Sequence, residues 1–125
     1  APEGAAATGD DVSANPPTLS PSWGSAKTLW IAFAATDASV ATTAWPTDYV
    51  EFPLSDNTVG TGGCTHMAAA RYYEGATQDP STFTIGTEQW RALTIAVKPA
   101  IASAITFVES TVLRPHVLWP RPVAF

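Results

Sequence analysis

Read for alternation, the middle of the chain is a series of strands. From Lys27 to Thr36 (KTLWIAFAAT), Leu29, Ile31 and Phe33 fall on one side of an extended backbone, and Trp30, Ala32 and Ala34 on the other. Both sides are apolar, which predicts a central strand. Trp90–Lys98 repeats the pattern, with Leu93, Ile95 and Val97 opposite Trp90, Ala92, Thr94 and Ala96. Ser81–Ile85 reads as a further strand, and the short polar link Gly86–Gln89 predicts a hairpin joining the two. Between residues 37 and 63, the β-prone pieces Val40–Ala44 and Tyr49–Leu54 alternate with turn residues at Trp45-Pro46, Pro53, Asp56-Asn57 and Gly60–Gly63. Cys64–Tyr73 (CTHMAAARYY) is balanced on local grounds. Its alanines and Arg71 favour helix, while the glycines on either side fit a strand.

The two ends read differently. Residues 1–22 are rich in Ala, Gly, Pro, Ser and Asp, with Val12 and Leu19 as the only large aliphatics, and predict a linker or arm. After Pro99, Ile105–Val108 and Thr111–Leu113 offer one more β-prone stretch. The terminal RPHVLWPRPVAF carries three prolines that forbid both helix and central strand.

Composition narrows the class. The 125 residues suit one domain with tails, and only 14% of them are charged, against roughly 25% in an ordinary soluble domain. A surface built from Thr, Ser, Gly, Pro and Ala suits particles and secreted assemblies. The net charge is −5: residues 1–97 hold ten acids and three bases, whereas Lys98, Arg114 and Arg121 face only Glu109 beyond them. An acidic body argues against nucleic acid as the ligand. No apolar run approaches the ~20 residues that cross a bilayer. The N-terminus lacks the basic and apolar regions of a signal peptide, so a secreted chain is expected to have shed its leader.

A resemblance extends over residues 16–100. The run Pro17–Ala32 (PTLSPSWGSAKTLWIA), the Trp45-Pro46-Thr47-Asp48-Tyr49 turn, Ala70-Arg71-Tyr72, Asp79–Ile85 (DPSTFTI) and Gln89–Pro99 (QWRALTIAVKP) follow one another in order. Together they resemble the second half of β-sandwich modules of bacteriophage structural and tail-associated proteins. The resemblance implies an all-β, antiparallel, jelly-roll-like sandwich in which Cys64–Tyr73 is a strand. Taken with the composition of the two ends, it divides the chain into an N-terminal linker or arm (1–22), a sandwich domain (23–100), and an additional strand with an extended Pro-rich C-terminal arm (101–125). Such modules carry further strands before the Pro-Pro segment and end near the position of Ala100. A sandwich lacking strands exposes an edge or groove that another chain completes.

Each candidate site has a plainer explanation beside it. Cys64 and His66 share a strand face, and with His116 they make three metal donors, but no third ligand stands near the first two in sequence; a small buried thiol is the expected role of Cys64. No Gly-x-Ser-x-Gly elbow or triad context is present. Asp37, Asp48, Asp56 and Asp79 fall in predicted loops, where turn formation outweighs a carboxylate pair or a Ca²⁺ site. Of the five tryptophans, Trp30 and Trp90 belong to strands; Trp45, Tyr49 and Asp48 are the expected glycan contacts. In the C-terminal arm, Arg114, Leu118, Trp119, Arg121 and Phe125 are the expected docking anchors; twelve extended residues reach up to roughly 40 Å.

The sequence thus predicts a non-enzymatic virion structural protein, a head-decoration or tail and fibre subunit of an extracellular particle. Its predicted partners are copies of itself, with a trimer favoured, or other virion proteins. No cofactor, metal, nucleic acid or membrane insertion is expected. A carbohydrate-binding adhesin module acting on host glycans is the alternative, and a sandwich-type hydrolase a weaker third.

Overall fold

The computed structural model describes residues 1–52 and 62–98. These form six strands: β1 (Glu3–Ala14), β2 (Ala26–Thr36), β3 (Thr42–Ala44), β4 (Val50–Glu51), β5 (Thr65–Gly75) and β6 (Phe83–Val97). Among the described residues there is no helix. All pairings are antiparallel, within one sheet of order β1-β6-β2-β5-β4, and β3 joins β6 beside this path. The all-β antiparallel class predicted from the sequence is the class observed. The sheet turns over on itself: the first half of β6 and β3 fold across the face of β2 and β5, so that Phe83 and Ile85 share a buried cluster with Ala34 and Met67, and Thr42 donates to the Met67 sulfur at 3.4 Å.

The doubly apolar β2 lies between β6 and β5 as its pattern requires. Cys64–Tyr73, balanced between helix and strand, is mostly β5, paired with β2 from Ala26↔Gly75 to Thr36↔Thr65. Its alanines suit a strand flanked on both sides, where small side chains leave room for larger neighbours.

Two sequence expectations are corrected. No hairpin separates Ser81–Ile85 from Trp90–Lys98: the 15 residues Phe83–Val97 form one strand. Gly86–Gln89 is an irregular stretch of that strand. Across it the buried positions change from Phe83 and Ile85 to Trp90, Ala92, Thr94 and Ala96, opposite a register shift in β1 between Asp11 and Ser13. A polar, glycine-led insertion looks alike in sequence whether it reverses the chain or bulges it. Residues 3–14, expected within a linker or arm, form the edge strand β1, paired with β6 from Glu3↔Ala96 to Ala14↔Phe83. Main-chain pairing does not require large side chains, so composition missed it.

One sheet face, the inner face, carries the core. Trp30, Ala32, Ala34, Met67, Ala69, Trp90, Ala92 and Ala96 are buried there, beneath loops that bring in Leu19, Val40, Trp45 and Tyr49. Buried threonines fasten these loops to the sheet. Thr65 Oγ1 accepts from the Val40 N–H and donates to the Val40 carbonyl, both at 3.0 Å. Thr36 donates to the Ala38 carbonyl at 2.7 Å, and Thr94 to the carbonyl of Pro17. Leu19 and Gln78 exchange backbone hydrogen bonds of 2.9 and 3.0 Å above the sheet. Among the described residues no buried side-chain N or O atom lacks a partner.

Candidate assembly surface

The opposite, outer face follows from register and alternation. Three apolar rows cross the sheet. Ala6, Leu93, Phe33 and Ala68 align in the first; Gly4, Ile95, Ile31, Ala70 and Val50 in the second; Val97, Leu29 and Tyr72 in the third. Phe52 lies two residues beyond Val50, and its N–H donates to the Ala68 carbonyl at 2.9 Å, extending the first row. None of these positions is charged. Leu29, Ile31, Phe33, Leu93, Ile95 and Val97 are half-buried, unlike the fully buried residues behind them. At the β4 margin Val50 is 74% exposed, Tyr72 61% and Phe52 42%. Neither buried cluster includes a residue of this face.

Polar rows bound the lattice at both ends. Lys27 stands opposite Glu74 beyond the third row. Before the first, Thr8, Arg91, Ala35 and His66 align, with Asp10 opposite Gln89 one step further. A depression of about 560 Å³ opens at this second end, lined by Asp10, Asp37, Gln89 and Arg91 among others. An apolar centre with a polar rim is the layout of a protein interface. With strands about 4.8 Å apart and rows about 6.8 Å apart, the apolar centre spans roughly 400 Å², and roughly 700 Å² with its polar rows. The latter is within the range each partner gives to a standard interface.

The expected glycan contacts lie on the inner side. Trp45 meets Phe83 edge to face, with ring centroids 5.5 Å apart, and both Trp45 and Tyr49 pack on the core. The Tyr49 hydroxyl donates to Gln78 at 3.3 Å, and burial pushes its pKa up to about 12, with the Arg71 charge opposing that shift and Asp79 adding to it. Asp48 is exposed, adopts a left-handed backbone with φ 65°, and approaches Arg71 at 3.6 Å. Arg71 also lies over the Tyr73 ring, 4.3 Å from its centroid. Trp45 and Tyr49 thus cap the core end and are not jointly open to solvent.

Among the described residues no three His, Cys, Asp or Glu side chains converge. Cys64 is exposed, not the buried thiol expected, because it precedes β5 and the burial of that strand begins at Thr65. Asp79 accepts a 2.7 Å hydrogen bond from Thr18, a loop-fastening role. Asp56, His116 and the arm residues Arg114, Leu118, Trp119, Arg121 and Phe125 lie outside the described residues.

The signal for the outer face was present in the alternation of β2 and β6, which by itself predicts only a central strand. Comparison with family models, curated proteins and solved structures finds no match to this chain.

Proposed function

We propose that this protein is a non-enzymatic structural subunit of a virion, in the head decoration or the tail and fibre apparatus, and that it acts by assembly through its outer sheet face. The observation that carries the reading is the charge-free lattice of three rows across five strands, bounded by polar rows. A contiguous patch of several hundred Å² is the largest kind that a monomer ordinarily exposes, and such patches often serve binding. The low content of charged residues, 14%, and the resemblance of residues 16–100 to phage sandwich modules support the same reading. In such modules two sheets pack about 10 Å apart. Here the inner face is covered within the chain, and assembly covers the outer one.

The test is biochemical. An antibody raised against the purified chain is used to probe density-gradient-purified particles from the source of the sequence. The chain should band with the particles and resist a high-salt wash. Recovery only from the soluble fraction would refute the assignment.

A further inference from the structure

We infer that the partner of the outer face is a second copy of this chain, stacked outer face to outer face about a two-fold axis; this rests on the assembly reading above. The relief of the face is self-complementary. Leu93, Ile95, Phe33 and Ile31 stand as a ridge along β6 and β2. Beside it β5 presents only Ala68 and Ala70 to the same two rows, a trough closed on its far side by Val50 and Phe52. A two-fold axis between the layers sets each ridge into the partner's trough, with each residue meeting the same set on both sides. Aligned sheets cross at about −30°, so the twist of each layer carries ridge over trough.

Charge fits a copy of the same chain. Each polar end holds both signs, Lys27 with Glu74 at one and Arg91 with Asp10 at the other. A two-fold stack therefore opposes no row of like charges, although the chain as a whole carries −5. A strongly basic or acidic partner would find no matching field here. The area, roughly 700 Å² from each copy, is within the range of a standard stable interface.

Sedimentation velocity of the full chain over roughly 1–200 µM tests this, a range that brackets ordinary dimer affinities. The expected species has twice the 13.1 kDa chain mass. Two variants locate the contact. Val50→Lys changes a side chain open to solvent in the single chain, so folding is not at stake, and an unpaired buried ammonium should raise the dissociation constant by at least about 100-fold. Ala70→Phe fills the trough while adding apolar surface. It should weaken a fitted stack but strengthen unfitted adhesion, with circular dichroism unchanged in both variants. A monomer throughout the range, an odd-numbered oligomer, or tighter association of Ala70→Phe would each overturn the inference. So would a monomer unfolded by Ile31→Lys, which would place the occupant within the same chain. Monomers in solution alongside chain in the particle band would overturn the two-fold stack and leave the assembly reading standing. Absence from particles with a measured dimer would do the reverse.

Discussion

At the residue scale, two side chains show how closely the inner face is fitted. A Cβ on Gly9 would fall 2.3 Å from Cζ2 of Trp90, whose indole N–H donates to Asp11 at 3.1 Å. The ring lies across β1 only because position 9 has no side chain. Gly9→Ala should therefore destabilise the fold by about 1–3 kcal/mol, read by urea denaturation, through displacement of the indole. Tyr49 provides a titration. Burial favours its neutral phenol and raises the pKa to about 12 from about 10 in the unfolded chain, so its contribution is complete below pH 10 and lost as pH rises toward 12. Thermal melts from pH 9 upward should show this alkaline loss, and Tyr49→Phe should flatten it. In absorbance titration a phenol ionising near pH 12 should be present and be lost in Tyr49→Phe.

At the element scale, the loops over the inner face depend on threonines more than on apolar area. Thr65 serves both the N–H and the carbonyl of Val40. Thr65→Val keeps the shape and leaves both groups without that partner. It should cost about 2 kcal/mol in stability and speed hydrogen exchange at Val40. β1 offers the sharper contrast. As an edge strand it covers the long side of β6 and contributes Ala14 to the core. Removing residues 1–14 should uncover that edge and lead to aggregation or loss of cooperative unfolding, measured by light scattering during a melt. A linker at the same place would leave the melt unchanged. The whole of β6 is held this way: β1 pairs along both its halves, while β3 and β2 divide the other side.

At the scale of the whole molecule, the sheet is asymmetric in its covering. The inner face has loops, aromatic caps and satisfied hydroxyls; the outer face has an apolar lattice in which the residues are half-buried by one another. Association through such a centre is driven by removal of apolar surface from water, with charges confined to the rim. The proposed face-to-face association should thus change little, by less than about threefold, when salt is raised from about 0.05 to about 0.5 M, a range that screens surface ion pairs. A steep loss of association with salt in sedimentation experiments would point instead to the polar ends around Arg91 and Lys27.

Period-two alternation is a local property of the chain, and it was enough to place β2, the second half of β6 and the all-β class, because a strand's two faces are written in consecutive residues. The central position of β2 was legible for the same reason: Leu29, Ile31 and Phe33 are as apolar as Trp30, Ala32 and Ala34. Three matters depended on partners distant in sequence. Residues 3–14 became a strand because β6 offered them a free edge, some 80 residues away. Gly86–Gln89 became a bulge because β1 pairs on both sides of it. Trp45 and Tyr49 became caps because the loops settle on the inner face. Alternation states that each face of β2 avoids water. Only the tertiary arrangement shows that loops fastened by Thr36, Thr65 and Thr94 close one of them, while among the described residues the other carries the apolar rows of the outer face.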